Sequence, residues 1–238
     1  MSPRTLVAAL LTSLGLAPAH ADTPLFRTGG DAKPNGVSRL AFAPDGKTVA
    51  WAGSGPVCLY DASSGKLLRT LKADGRCLAF APDGKTLAVG EGASVRIFDS
   101  GGAEAIHFEA HAGGVFALAY SPDGKTLATG GDDDHVTLWD PATGKERGRV
   151  SLNEKGASVL AFSPDGKYLA GGGAAGELTV WRLEDDFVDE RRRLVGKDGG
   201  VGCVAFLPDG NSFLWTQGRT IRVSEIETWV ELSRLGGD

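Results

Sequence analysis

The stretch from Leu118 to Lys125 reads LAYSPDGK, an apolar run followed by a Pro-Asp-Gly turn. Close copies of this phrase bring its occurrences in the 238 residues to five. The other four copies are Leu40–Lys47, Leu78–Lys85, Leu160–Lys167 and Val204–Asn211. The prolines of consecutive copies lie 38, 40, 42 and 44 residues apart. A period of this size indicates stacked structural units of about 40 residues each.

Four short strands, named a to d, are predicted for each repeat. Strands a and b flank the Pro-Asp-Gly turn and are almost continuously apolar, which is typical of strands buried on both faces. In the turn, proline presets its backbone angle, aspartate bonds its own backbone and glycine takes the left-handed conformation. Strand c is β-branched and ends in an aromatic residue, as in Val136–Trp139, whereas strand d is more polar, as in Leu67–Leu71. A polar outer strand suits a sheet edge that faces water.

Five repeats of four strands predict an all-β fold, a β-propeller of five four-stranded antiparallel blades. We expect one domain over residues 22–238, with repeats at approximately 37–71, 75–110, 115–150, 157–194 and 201–235. Leu25–Thr28 and Trp229–Leu232 could each supply strand d of the last blade, so one strand is surplus. A closed five-bladed ring is favoured. The alternative is an open array, or an incomplete propeller that assembles with another chain, because unpaired end strands invite pairing.

The third repeat carries His111, Thr129, Asp133 and Trp139 at its loops and strand ends. At these residues the chain resembles the WD-repeat family of β-propellers, and the resemblance covers nearly all of residues 22–238. It implies that these four side chains form a hydrogen-bonded tetrad that ties the strands of one blade together. Buried polar groups need partners, so we expect a structural role for the tetrad instead of catalysis. The other repeats lack the histidine and the threonine, and we expect packing to hold their blades.

The first 21 residues differ from the rest. Arg4 gives a positive start, Leu6–Leu16 is largely apolar, and Ala19-His20-Ala21 fits a small-x-small cleavage site. This pattern predicts a signal peptide of bacterial type over residues 1–21. Its apolar part is shorter than the roughly 20 residues that span a bilayer. We therefore expect an exported protein of the periplasm or extracellular space, not inserted in a membrane after signal removal.

Charge and cysteine content exclude further classes. The formal net charge of -5 disfavours a sequence-independent grip on phosphate backbones, so nucleic acid is not an expected partner. Three cysteines make an odd count, which excludes a fully paired disulfide framework. A single bridge between Cys58 and Cys77 stays open, because geometry decides whether two cysteines can pair.

Catalytic motifs are not recognised. Gly-Lys-Thr occurs at residues 46–48, 84–86 and 124–126, but alanine replaces the first glycine of a phosphate-binding loop and a strand follows. The acidic run Asp132–Asp134 lacks the spacing of a calcium loop. We predict no enzyme activity, no cofactor and no metal site. A propeller hydrolase or lactonase with a metal in its channel is the alternative.

Loops on a rigid frame are where recognition resides, and here the d-to-a and b-to-c loops are free to vary. The resemblance implies an interaction platform, so we expect a non-catalytic scaffold for a protein or peptide partner. The candidate contact residues in these loops are Asn35, Glu91, Asp132, Asp134, Lys155 and Gln217.

Overall fold

Twenty β-strands form five separate four-stranded antiparallel sheets in the computed structural model. The structure describes residues 37–53, 55–152, 156–184, 187–195 and 199–236, and these contain no helix. Within each sheet the strands follow one another in sequence order, from the innermost to the outermost. Each sheet is therefore one sequence repeat, and the predicted all-β propeller of five blades is confirmed.

The strand bounds, blade by blade, are as follows. The first blade consists of β1 (Val37–Phe42), β2 (Thr48–Gly53), β3 (Gly55–Asp61) and β4 (Leu67–Thr70). The second consists of β5 (Cys77–Phe80), β6 (Thr86–Glu91), β7 (Ser94–Asp99) and β8 (Glu104–Glu109). The third consists of β9 (Val115–Tyr120), β10 (Leu127–Gly131), β11 (His135–Asp140) and β12 (Lys145–Ser151). The fourth consists of β13 (Val159–Phe162), β14 (Tyr168–Gly172), β15 (Glu177–Glu184) and β16 (Phe187–Val195). The fifth consists of β17 (Val201–Phe206), β18 (Ser212–Gln217), β19 (Thr220–Glu225) and β20 (Glu231–Leu235).

The Pro-Asp-Gly turns join the first and second strands of every blade. In the third blade, Asp123 Oδ1 accepts the Lys125 amide at 3.0 Å, and the Gly124 amide donates to the Ser121 carbonyl at 2.9 Å. Gly124 has a φ of 71°, a left-handed conformation that a side chain would strain. The aspartate thus accepts a backbone hydrogen bond within its own turn, which explains why each of the five turns keeps it.

The hydrophobic core lies between neighbouring blades. The second strand of each of the first four blades carries an alanine that is fully buried against the next blade: Ala50, Ala88, Ala128 and Ala170. Hydrophobic clusters fill the four junctions from the first blade to the fifth. Small residues at these positions let the blades approach closely, so packing at these four junctions stabilises the blades.

The innermost strands of consecutive blades contact one another, β1 with β5, β5 with β9, β9 with β13 and β13 with β17. Burial raises the pKa of the Cys77 thiol to about 12, and it also raises the pKa of the Cys203 thiol. The junction between the fifth and first blades, which we call the seam, nevertheless differs from the other four. Among the described residues, no hydrophobic cluster joins these two blades.

All three cysteines are free thiols. The bridge between Cys58 and Cys77 that the sequence left open is therefore not formed. The Cys58 thiol lies near Thr70 Oγ1, at 3.8 Å, whereas Cys77 donates to the Val115 carbonyl at 3.6 Å. Among the described residues, no helix is long and apolar enough to cross a membrane. The predicted signal peptide, residues 1–21, lies outside the described residues.

Candidate functional site

One hydrogen-bonded chain runs through the third blade. The indole Nε1 of Trp139, on β11, donates to Thr129 Oγ1, on β10, at 2.9 Å. Thr129 Oγ1 lies 2.8 Å from His111 Nε2, and His111 Nδ1 lies 2.8 Å from Asp133 Oδ2. The Asp133 carboxylate can only accept, so Nδ1 carries the proton and Nε2 accepts the threonine hydroxyl. The four residues predicted as a tetrad thus form a chain in which every donor points the same way.

The tetrad fixes two loops against each other. His111 lies in the d-to-a loop before β9, and Asp133 lies in the b-to-c loop between β10 and β11. The contact is close, because a Cβ atom on Gly131 would lie 2.5 Å from His111 Cγ. Asp132 and Asp134 flank the anchored Asp133, and both are exposed. A buried network therefore holds two exposed carboxylates in a defined place.

The tryptophans of the fourth and fifth blades do not have a threonine partner like that of Trp139. The Trp181 indole, in the fourth blade, is buried and has no hydrogen-bond partner among the described residues. Gly171 stands where the third blade has Thr129, so the acceptor is missing. In the fifth blade, Trp215 on strand b donates to Ser224 Oγ at 3.2 Å. Only the third blade, of those described, has the full tetrad.

Glu91 anchors a second loop end. Its Oε1 accepts the Asp74 amide at 2.7 Å, and its Oε2 lies 2.9 Å from Arg96 Nη1. Burial alone would raise the pKa of Glu91, but hydrogen bonds from the Asp74 amide and the Arg96 guanidinium lower it overall. Arg96 also binds Glu104 and the Lys72 carbonyl. Glu91 therefore holds the loop before β5 in place, besides presenting part of its carboxylate.

Gln217 ends β18, next to the b-to-c loop of the fifth blade. Its side chain is fully buried, and its Nε2 donates to the Gly176 carbonyl at 2.9 Å. It connects the b-to-c loop of the fifth blade to that of the fourth, and its amide is enclosed between them instead of facing solvent. Glutamine is long enough to reach across a blade junction, which explains its inward position. Asn35 and Lys155, also predicted as contacts, lie outside the described residues.

Four carboxylates, three exposed and one partly buried, lie on neighbouring loops of the second and third blades. The His111 amide donates to the Ala93 carbonyl at 3.1 Å, so the loop after Glu91 contacts the loop that carries His111. His111 in turn binds Asp133, which links both loops to the b-to-c loop of the third blade. We call the four carboxylates on these loops the acidic rim: Asp74, Glu91, Asp132 and Asp134. The sequence prediction missed Asp74, and it missed Arg96 as the partner of Glu91. The signal that could have identified Arg96 is its position on a predicted strand between two strands that carry the acids Glu91 and Glu104.

The three histidines of the described residues lie apart and have different partners. His111 belongs to the tetrad, and His135 Nδ1 lies 2.7 Å from Asp134 Oδ1. His107 lies on the outer strand β8, half exposed, 3.9 Å from Glu104 Oε1. Among the described residues, no group of three or more His, Cys, Asp or Glu side chains could hold a metal ion.

Comparison with known families gives one match. The family model for the WD domain, G-beta repeat, matches residues 65–99, 102–140 and 150–182. Each matched span starts on the outer strand of one blade or in the turn just before it, and ends on the third strand of the next. The repeat in sequence is therefore offset by one strand from the blade in space. No curated protein sequence matches the chain.

Proposed function

We propose that this chain, which is a WD-repeat β-propeller, acts as a non-catalytic scaffold that presents its acidic rim to a protein or peptide partner. WD-repeat propellers are commonly protein-interaction scaffolds. That general tendency supports binding, but the choice of surface depends on this chain's own residues.

The observation that carries the proposal is the support beneath the acidic rim. Asp133 is held by His111 at 2.8 Å, and Glu91 is held by the Asp74 amide at 2.7 Å. Loops fixed by internal hydrogen bonds lose little conformational freedom when a partner binds, so more of the contact energy appears as affinity. The rim is thus prepared for binding before a partner arrives.

Charge suggests the chemistry of the partner. Asp132 and Asp134 are exposed on one loop, and Asp74 is exposed on a neighbouring one. Opposite charge across an interface speeds encounter and selects among partners. A partner segment that carries lysine or arginine therefore fits the acidic rim best. Such an interaction weakens as ionic strength rises, since salt screens exposed charges.

The polar groups that could suggest catalysis are engaged in structure. Both ring nitrogens of His111 have partners inside the tetrad, and the Asp133 carboxylate accepts the hydrogen bond from one of them. A general base needs a free position next to its substrate, and the His111 ring is fully buried. This supports contact, not turnover, as the activity. The sequence of residues 1–21 supports export, so we extend the proposal to a partner met in the periplasm or outside the cell.

The test compares two variants of equal charge change. D132N/D134N removes two carboxylates of the acidic rim while keeping side-chain size. D83N/E227Q does the same in turns at the opposite end of the blades, where the side-chain oxygen that replaces Asp83 Oδ1 can still accept the Lys85 amide. Each protein is used to capture partners from the exported fraction, and retained proteins are identified by mass spectrometry.

We expect a partner that wild type and D83N/E227Q retain and D132N/D134N loses, and whose retention falls between low and high salt. A partner retained equally by all three proteins would show that the acidic rim is not the binding surface. A partner lost only with D83N/E227Q would place the surface at the other end of the propeller.

A further inference from the structure

Three residues depart from the repeat pattern, and all three line one cleft between the fourth and fifth blades. Tyr168 follows its Pro-Asp-Gly turn at a position where the other blades have a threonine or a serine: Thr48, Thr86, Thr126 and Ser212. Arg182 stands where the other blades have an acid: Asp61, Asp99, Asp140 and Glu225. Trp229 stands where the first and third blades have Gly65 and Gly144. Natural proteins break their own local pattern mainly at functional sites, so the convergence of three such departures indicates one.

Strand register puts the wall of the fourth blade together. Tyr168 pairs with Arg182 across β14 and β15, and Val180 pairs with Arg192 across β15 and β16. Residues that pair directly in an antiparallel sheet project on the same side, as do residues two apart on one strand. The four side chains therefore share one face. Val180 belongs to the hydrophobic cluster of the fourth and fifth blades, so this face is the one that meets the fifth blade.

The turn between β19 and β20 forms the opposite wall. Ile226 is 1% exposed, as is Val180, and both belong to the cluster that fills this junction. They form an apolar floor. Trp229 packs against the same cluster, and Glu227 is exposed at the edge. The two walls enclose a cleft of about 280 Å³, which we call the arginine cleft.

The backbone of Trp229 is a second, independent sign that the arginine cleft has a role. Its φ of 61° is the one positive value outside glycine in the part of the chain that the structure describes. The contact with Phe213 offsets the strain, but Gly65 and Gly144 show that the same turn forms without an indole. A strained residue that persists where glycine would be relaxed indicates function.

The two arginines decide which chemistry the arginine cleft accepts. A guanidinium presents its N–H donors in a planar fork that matches a carboxylate. Arg182 and Arg192 are both exposed, and Arg182 Nη2 lies 2.8 Å from Glu184 Oε1. An exposed ion pair of this kind contributes little, so Glu184 does not commit the guanidinium. Among the residues that line the cleft, two arginines and Glu227 leave one net positive charge, which suits a singly charged anion.

We propose that the arginine cleft binds a small ring that carries one carboxylate. The carboxylate binds Arg182 and Arg192. The ring lies between Tyr168 and Trp229, whose side chains supply a large and rigid contact surface. The volume of the cleft is below the roughly 300 Å³ at which pockets for drug-sized molecules begin, so the ligand is a single small ring. A sugar acid and an aromatic acid share this chemistry, and the test distinguishes them. The site lies at the opposite end of the blades from the acidic rim and does not depend on it.

The test follows the indole N–H signals of the full chain by nitrogen-15 NMR. The protein has five tryptophans, and Trp229→Gly identifies the signal of Trp229 by its loss. Four probes are titrated: glucuronate, benzoate, glucose as a ring without a carboxylate, and inorganic phosphate as an anion without a ring. Arg182→Asp restores the acid of the other blades, and Glu227→Gln removes the acid of the cleft. Arg147→Gln, on β12 of the third blade, is the control that removes an exposed positive charge elsewhere.

We expect glucuronate or benzoate to shift the Trp229 signal until it saturates, whereas glucose and phosphate should leave it in place. The tighter of the two acids identifies the source of the ligand. Arg182→Asp should weaken binding at least about tenfold, because a hydrogen bond between charged groups is lost. Glu227→Gln should strengthen binding, since it removes a like charge, and Arg147→Gln should bind as wild type does.

A Trp229 signal that neither acid shifts would overturn the proposal. So would phosphate binding as tightly as the acids, since the ring would then contribute nothing, or an equal loss in Arg182→Asp and Arg147→Gln. Urea unfolding shows whether Arg182→Asp is folded. If it is not, Tyr168→Thr decides, because it installs the residue of the first three blades and keeps both arginines. Weaker binding of the acid in Tyr168→Thr supports the proposal, and unchanged affinity contradicts it.

Discussion

Thr129 Oγ1 lies 2.8 Å from His111 Nε2, and this contact joins the second strand of the third blade to the loop that precedes its first strand. The same oxygen accepts the Trp139 indole at 2.9 Å. One hydroxyl thus satisfies two buried groups at once. It explains why a blade with polar residues in its interior is stable, and why its acidic loop has a fixed position.

Replacing Thr129 by valine should destabilise the protein strongly for so small a change. Valine keeps the shape but leaves the Trp139 indole and the His111 nitrogen without partners, which costs about 2 kcal/mol of unfolding free energy. Urea unfolding measures the loss. The control is Thr137→Val, on the neighbouring strand, where the side chain is equally buried but takes no part in the tetrad. If both variants lose the same stability, the network contributes nothing beyond volume.

Gly130 should not tolerate a methyl group. A Cβ atom there would lie 2.5 Å from Ala157 Cβ and 2.8 Å from the Ala157 carbonyl oxygen, so backbone would have to move. We expect Gly130→Ala to lower the unfolding free energy by about 2 kcal/mol. At Gly148 a Cβ atom would meet nothing within 4 Å. Gly148→Ala should therefore leave stability unchanged or raise it. Thermal unfolding of Gly130→Ala and Gly148→Ala, each against wild type, measures the difference, and equal losses in both would contradict the prediction.

Trp229 occupies a backbone conformation that normally suits glycine. Its φ is 61°, and the equivalent turn positions in the first and third blades are Gly65 and Gly144, at 68° and 69°. The ring packs near Phe213, at 6.5 Å between centroids, which offsets the strain. Both Trp229→Gly and Trp229→Ala lose that contact. At this positive φ, however, alanine is strained and glycine is not.

We therefore expect Trp229→Gly to be more stable than Trp229→Ala by about 1 kcal/mol in denaturant unfolding. This reverses the usual order of the two residues inside a strand. Alanine equal to or better than glycine would show that the turn relaxes when the indole is removed.

Asp61 should titrate at unusually low pH. Hydrogen bonds from the Ser63 side chain first, and from Ser64, lower the pKa of Asp61 from 3.8 to about 2. A carboxyl whose pKa is lowered by folding stabilises the folded state above its unfolded pKa, and that contribution is lost as pH falls through the folded value. The loss attributable to Asp61 therefore falls between pH 3.8 and about 2.

Carbon-13 NMR of the carboxyl group measures this directly. We expect a midpoint near 2 in wild type and a rise toward 3.8 in S63A/S64A, because the two hydroxyl donors are then gone. An unchanged midpoint in S63A/S64A would mean that the backbone amides alone set the pKa.

Local patterns in the sequence were enough to predict the strands, the turns and the tetrad. Tetrad residues could be identified because residue type and spacing within one repeat decide their contacts. Gln217 and Glu91 could not be interpreted in this way. Both occupy the same place at the end of strand b, yet Gln217 is fully buried and bound to the fourth blade, whereas Glu91 is partly exposed and bound to Asp74.

The amino-acid sequence by itself determined that this chain folds as five four-stranded blades, because alternating apolar runs and Pro-Asp-Gly turns are read within about ten residues of each other. Only the tertiary structure decided how the blades meet. Tyr168 and Trp229 are about 60 residues apart in sequence, and whether two such side chains line one cleft depends on volumes that come together only in space.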